Sequence, residues 1–310
     1  MQSTSPDSLK HAVVVSMPRA RARWKGRNID WTAYAFLLPF LVPFFLFTIA
    51  AIIFGIFVSF TDWRVVGDTQ WIGFDNFTHI LKDPLVGKAF VNTLRYGLYV
   101  VPSVTILGFI FALFVNQRWP GYVLARFAFY APNVVSATVI GLVWVWMLDT
   151  RFGVINQYLG FLGIANIPWL TNTQWALLAV SLASIWWDLG LAFVLFLAGL
   201  QEIDQEIREA AAIDGANRFQ ITRFVIVPLL RPTFSMVITL QLISTLRIFS
   251  QVLVMTDGGP ANASMSVIYY VYRFGLTQGH LGYASAVSLM LFVVILVITF
   301  IQLRVIRERN

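Results

Sequence analysis

The sequence predicts an all-α integral membrane protein with six spanning helices. Three observations predict it. Hydrophobic residues make up 58% of the 310 positions and charged residues only 12%, whereas a soluble domain carries about a quarter charged. The apolar residues gather into six runs of about 20 or more, each long enough to cross about 30 Å of hydrocarbon at 1.5 Å per residue. Lys and Arg alternate in density between successive loops, as the positive-inside rule requires of a chain that crosses repeatedly. Cys is absent, which excludes disulfides and thiolate metal sites, and the three His (His11, His79, His280) are scattered and give no metal-ligand spacing.

In chain order, residues 1–30 are a basic tail carrying Lys10, Arg19, Arg21, Arg23, Lys25 and Arg27. A positive-inside flank explains it better than nucleic-acid binding, which is not expected. The first span, 31–60, is too long for the core of a cleavable signal peptide, and Pro39 and Pro43 within it are tolerated in lipid. A moderately polar loop follows to 92, with Trp63, Trp71 and Phe77 suited to a membrane–water interface. Spans are expected at 93–115, 123–148, 175–200, 233–255 and 282–303. Polar stretches at 149–173, 201–232 and 256–281 connect the later ones, and 304–310 is a second basic tail. Fifteen basic residues fall on the side of the two tails, Arg118 and Arg126, and the 201–232 stretch, against six on the other side offset by six acids. Both termini and the 201–232 stretch are therefore expected in the cytoplasm of a bacterial cell bounded by this membrane.

The 201–232 stretch reads as a short helix, a turn at Gly215, and a second helix ending at Pro228. Asp204 and Arg208 are spaced to pair along the first helix. Gly215 suits the left-handed residue that closes it. Ala210, Ala211 and Ala216 are small enough to let another protein approach closely. Glu209-Ala210-Ala211, then Asp214-Gly215-Ala216, then a hydrophobic pair before Pro228, resemble the EAA loop of binding-protein-dependent ABC importer permeases. Val227 stands where Leu is usual. Thr256-Asp257-Gly258-Gly259-Pro260, the aromatic run Tyr270 to Phe274, and Gly282-Tyr283-Ala284-Ser285-Ala286 are similar to the first of the two permease subunits of sugar and glycerol-phosphate importers. Ser59 to Trp63 and Gly73 to Phe77 add a weaker match. Together these cover most of the chain beyond residue 30.

The resemblance implies the type I ABC importer permease fold and a transport subunit, not an enzyme. The chain has no G-x-x-x-x-G-K-[ST] phosphate cradle and no catalytic constellation. ATP and Mg are accordingly expected on two copies of a partner ATPase, with no cofactor on this chain. Glu209 is expected to meet a basic residue at the rim of an ATPase groove, Gly215 to give the bend, and the alanines to pack inside. Further implied partners are a second permease subunit, a periplasmic or lipoprotein sugar-binding protein docking near Gly258, Gly259 and Pro260, and a sugar.

Polar residues inside spans usually face the bundle interior or water. Ser184, Asp188 and Leu191 share one face of the fourth span with Trp187 at its edge, and Gln241, Ser244, Thr245 and Ile248 form one stripe of the fifth. In the maltose-type permease the sugar site lies on these two helices. The resemblance carries it to Ser184, Trp187, Asp188, Gln241, Ser244, Thr245 and Ile248. Asp188 and Arg247 are alternatively a structural ion pair, Arg247 falling off the main stripe. An Arg there also suits a phosphate, which leaves a glycerol-phosphate cargo open. An ion-coupled secondary transporter is the remaining alternative, but paired broken helices in an internal repeat are not evident.

Overall fold

The structure is a computed structural model that describes residues 31–307 apart from positions 66 and 118. The basic tail at 1–30, Arg118 and the last three residues lie outside the described residues. The chain divides into two compact units, Met1–Ala51 and Ile52–Asn310. In the first, helix α1 (Trp31–Phe44) contains Pro39 and Pro43 and passes into one π turn, Phe45–Ile49. The missing proline N–H groups loosen the hydrogen-bond ladder there. Helix α2 (Ala50–Ser59) continues it.

Among its described residues the regular structure of the second unit is helical, with one isolated bridge, Thr61 to Trp71. Its helices are α3 (Asp75–Lys82), α4 (Pro84–Asn116), α5 (Tyr122–Val134), α6 (Ala137–Met147), α7 (Val154–Phe161), α8 (Ala176–Glu202), α9 (Gln205–Ile213), α10 (Arg218–Ile221), α11 (Val227–Leu229), α12 (Arg231–Leu246), α13 (Ser250–Met255), α14 (Val267–Val271) and α15 (Leu281–Arg307). Phe36–Ser59, Pro84–Asn116, Ala176–Glu202 and Leu281–Arg304 are long and apolar enough to cross a membrane. Two bent pairs would raise the number to as many as six if each is one span: Tyr122–Val134 with Ala137–Met147 at 103°, and Arg218–Leu229 with Arg231–Leu246 at 68°.

Three helices depart from the expected spans for physical reasons. The α4 helix begins at Pro84 and not near 93, because Asp83 caps it by accepting from the Leu85 amide and proline occupies the first helical position, where its missing N–H costs nothing. The expected third span is two helices. Val135 is extended and Ser136 starts α6 afresh as its N-cap. The expected fifth span stops at Leu246, and Arg247 to Phe249 leave the helix before α13. The carbonyl of Ile248 freed by this break accepts from the Ser266 hydroxyl at 2.8 Å, as a buried backbone group in lipid requires.

The core lies between α4 and α8. A Cβ on Gly108 would lie 2.9 Å from the Ala192 Cβ and 3.2 Å from the Phe193 amide, so the two backbones approach through small residues, as packing in lipid favours. Phe109, Phe196 and Phe234 close a three-ring cluster linking α4, α8 and α12, with centroids 4.6 to 5.6 Å apart. Gly190 meets the α5 backbone, its Cβ position 3.0 Å from the Phe129 carbonyl. Gly141 of α6 packs against the Val254 side chain of α13, its Cβ position 3.3 Å from the Val254 Cγ1. Both broken spans are thus held on neighbouring helices.

Asp83 joins three further segments. Its Oδ2 accepts from the hydroxyls of Tyr270 at 2.7 Å and Tyr283 at 3.1 Å. Burial pushes its carboxyl up, but these hydroxyls and the Leu85 and Val86 amides outweigh burial and hold it below the ordinary 3.8. A depressed carboxyl contributes stability that is complete above the ordinary carboxylate range and is lost as pH falls through the folded value. Asp83→Ala strands the fully buried Tyr270 hydroxyl and should cost about 1–3 kcal/mol. In detergent melts, the Tm gap between the parent and Asp83→Ala should stay constant from pH 5 to 8 and narrow only below about pH 4. A gap that closes near neutrality would contradict this.

Candidate functional site: a hinged loop and a cavity at the broken span

The hinged element forms as its residues dictate. Helix α9 ends at Ile213, and Gly215 takes the left-handed conformation at φ +87. Its amide and that of Ala216 donate back to the carbonyls of Ala212 and Ala211, the usual closure of a helix by glycine. Asn217 then opens α10 with a capping box, exchanging bonds with Gln220 at 2.9 and 2.8 Å. A π turn, Thr222–Ile226, leads to α11 and Pro228.

Both ends of the element are anchored. The Arg208 guanidinium donates to the carbonyls of Leu200 at 3.1 Å and Ile203 at 2.9 Å. It thus satisfies the end of α8, whose last carbonyls lack helical partners, and the expected Asp204–Arg208 pair does not form. At the other end Ile226 and Leu230 are buried, and a Cβ on Gly199 would lie 2.9 Å from Leu230. The middle is open: Glu209, Ala210, Asp214 and Gly215 are exposed, with Ala211, Ala216 and Pro228 partly covered. Glu209 accepts from Gln205 at 2.6 Å. Two apolar side chains that sequence reasoning passed over flank the hinge, Ile213 at 85% and Phe219 at 76% exposure.

A second feature is a cavity of about 180 Å³ at the break after α12. Trp187, Asp188, Ser244 and Ile248 line it, four of the seven residues named from sequence. Ser184, Gln241 and Thr245 do not line it and are buried between helices. Ser184 and Thr245 spend their hydroxyls on carbonyls one turn back, Val180 and Gln241, while the Gln241 Oε1 is buried without a partner. Trp187 is fixed by its indole N–H to the Val135 carbonyl at 2.9 Å. The Asn133 amide returns a bond to the Trp187 carbonyl, so the bend between α5 and α6 is tied to the cavity wall.

Tyr96, Ala137, Arg247, Phe249, Ser250 and Gln251 complete the lining; none of them was among the seven residues named from sequence. Helical periodicity places Arg247 off the stripe, but the helix ends at Leu246 and Arg247 leaves it as the C-cap residue. Asp188 is 8% exposed, and no ion pair joins it to Arg247 among the described residues. The structural-pair alternative therefore fails in this conformation, and both charges look into the cavity. Its volume is below the 300–1,000 Å³ of ordinary small-molecule sites.

At the Gly258-Gly259-Pro260 turn, Gly258 at φ +74 is buried on the Tyr269 ring, and a Cβ there would lie 2.5 Å from it. The turn is bound to α4 through Lys88 to Ala261 and Asn92 to Asn262 and Met265. Asp257 and Ala261 are the exposed points of the loop.

The geometry has clear parallels among known proteins. The profile of the binding-protein-dependent transport system inner membrane component family matches residues 104–309. The chain is 30% identical to the trehalose/maltose transport system permease protein MalF of Thermococcus litoralis, over 89% of this chain and 94% of that one. It is 31% identical to the multiple sugar-binding transport system permease protein MsmF of Streptococcus mutans (88% and 93%). It is 28% identical to the sulfoquinovosyl glycerol transport system permease protein SmoG of Agrobacterium fabrum (90% and 95%). Among solved structures, a chain of a bacterial ABC transporter importing the acidic polysaccharide alginate superposes with a TM-score of 0.80 at 25% identity, covering 90% of this chain and 96% of that one. The extent of the profile match and these full-length relatives place the chain, a multi-pass inner-membrane permease subunit and not an enzyme, in the family of binding-protein-dependent transport system inner membrane components.

Proposed function

We propose that the chain is one of two permease subunits of an ATP-driven carbohydrate importer, contributing half of the translocation path. The observation that carries this reading is the hinged loop. Ile213 and Phe219 stand exposed on a polar element that is anchored firmly at both ends, where they are placed to serve as apolar anchors for a protein partner. The partner is an ATPase dimer holding ATP and Mg. Glu209, Ala210, Ala211, Asp214, Gly215, Ala216 and Pro228 form the coupling element, and both termini lie with it in the cytoplasm. Closure of the dimer on ATP moves the two permeases as rigid bodies and turns the cavity outward. The sugar reaches that cavity from a periplasmic or lipid-anchored binding protein that docks beside the Gly258-Gly259-Pro260 turn. A solved alginate transporter in complex with its pentasaccharide-bound periplasmic protein has this fold.

Sugar cargo follows from the named relatives and from the cavity's chemistry, where Trp187, Tyr96 and Phe249 offer ring faces and Asp188, Ser244 and Gln251 offer hydrogen bonds. Arg247 on the same wall favours a second reading, a cargo with an anionic group such as a glycerol phosphate. Reconstitution with the second permease, ATPase and binding protein tests both. Uptake should require ATP and the binding protein, and a neutral sugar should outcompete glycerol phosphate. Uptake driven by an ion gradient without ATP would overturn the reading.

A further inference from the structure

The connection between α6 and α8 differs from the other loops at its end of the molecule. Tyr96 shares the cavity wall with Asp188, and Gly108 meets Ala192, so α4 and α8 run in the same direction. The 149–175 connection therefore lies at the Asp83 end, opposite the coupling element. The 61–83 and 256–281 loops, joined there by the bond from Tyr270 to Asp83, carry charges such as Asp62, Arg64, Lys82 and Arg273. Residues 152–187 contain no Asp, Glu, Lys, Arg or His. The α6 helix leading into the connection has 11 residues, about 16 Å at 1.5 Å per residue, and turns 103° from α5. The two do not add up to a straight crossing of about 30 Å. The chain after Met147 is thus carried less far from the hydrocarbon than a straight span would carry it.

The connection satisfies its polar groups internally. The buried Asn156 side chain donates to the carbonyls of Asp149, Thr150 and Ile167, and accepts from the Ile167 amide and the Trp169 indole. The Asp149 carboxylate accepts from the amides of Arg151 and Phe152. After α7, the amides of Leu162, Gly163 and Ile164 donate back to Leu159 and Gly160. Backbone that meets lipid needs such internal partners. Helix α7 is apolar on both faces. Ile155 and Leu159 pack on the core, while Tyr158, Phe161 and Leu162, at helical spacing on the other side, are 68%, 86% and 76% exposed. A helix that is apolar all round requires apolar surroundings on its outer side too.

We propose that α7 and the turn after it form an interfacial anchor, a lipid-binding surface whose Tyr158, Phe161 and Leu162 enter the leaflet at the Asp83 end. The occupant is lipid because the surface continues along the chain into the exposed Leu142, Val143 and Trp146 of α6, and because the uncharged connection offers a protein partner no ionic contact. With no charge to select a headgroup, neutral and anionic lipids serve alike. The anchor holds the far end of α6, whose near end is tied to the cavity wall through Val135 and Trp187.

The sequence has no Cys, so a single introduced thiol takes a nitroxide label without competition. Tyr158→Cys, Phe161→Cys and Leu162→Cys, each labelled in the assembled transporter in phosphatidylcholine nanodiscs, are compared with Asp68→Cys, an exposed site on a charged loop at the same end. Relaxation by oxygen and by a nickel chelate should place the three labels about 5–10 Å into the headgroup and acyl boundary and the Asp68 label in water. Replacing half of the phosphatidylcholine with phosphatidylglycerol should leave these depths unchanged. Independently of any substitution, the parent in nanodiscs containing a phosphatidylcholine with a photoreactive acyl chain should form lipid adducts on the 158–162 segment. Absence of those adducts overturns the anchor. Nickel-chelate access equal to that at Asp68 overturns it in favour of a water-exposed loop, and loss of access to both agents overturns it in favour of a protein partner. None of these results touches the importer reading, which rests on the coupling element.

Discussion

Replacing Ile213 and Phe219 together with Asp should abolish uptake while leaving insertion and the Tm of the permease unchanged. Both side chains project almost fully into water on either side of Gly215, so neither contributes to the permease's own core. Desolvated apolar anchors at protein interfaces contribute about 2 kcal/mol or more each, and a charge in their place adds a desolvation penalty. The pair should weaken ATPase association by about 1,000-fold, beyond what a cell's subunit concentrations offset. Glu209→Lys should act through charge and lower uptake about 10-fold or more, since its carboxylate is exposed and, among the described residues, held by Gln205 alone at 2.6 Å. Gly215→Pro should act through backbone: φ +87 is unavailable to proline, and the two short helices lose their angle. Uptake assays paired with co-purification of the ATPase check all three. An ATPase that stays bound to the double Asp variant would show that the hinge docks elsewhere.

The hinge was legible because its logic is local. A glycine closing a helix and an Asn/Gln capping box are written in adjacent residues, and the spacing from Glu209 to Pro228 needs no tertiary knowledge. The long helices were legible for the same reason: apolar length decides them. The broken spans were less so. Pro132 and Asn133 lie close to the corner, but the N-cap at Ser136 and the bond from Trp187 to Val135, which no local pattern announces, make it a 103° bend. After Leu246 the sequence has neither proline nor glycine to mark the break, and the Ser266 hydroxyl that accommodates it is 18 residues away. Periodicity therefore ran on through Arg247 and assigned it to the wrong face. Ser184, Gln241 and Thr245 shared a helical face with cavity residues yet sit behind the wall, because a face says nothing of depth. The Asp204–Arg208 spacing was sound but lost to carbonyls at the end of α8, which offered Arg208 two acceptors.

Asp188 is where the function of the cavity can be separated from its stability. A buried carboxylate locked in a salt bridge costs 3–5 kcal/mol when its partner is removed. Asp188 has no such lock: it lies 8% exposed on the cavity wall, without a hydrogen bond or ion pair among the described residues. Asp188→Asn keeps the shape and removes a charge that burial disfavours, so the permease should melt at the same temperature or higher. Transport should move the other way. If the carboxylate accepts from sugar hydroxyls, the amide presents a donor in its place, and leaving a ligand hydroxyl unpaired should lower kcat/KM for uptake about 10- to 100-fold. Arg247→Gln should share the transport defect only for an anionic cargo, since a neutral sugar finds comparable donors in the amide. The two variants, measured for Tm and for uptake of a neutral sugar and of glycerol phosphate, thus separate three cases. A drop in Tm with Asp188→Asn makes the residue structural. A transport loss confined to Asp188→Asn marks a neutral sugar, and a loss in both marks a charged one.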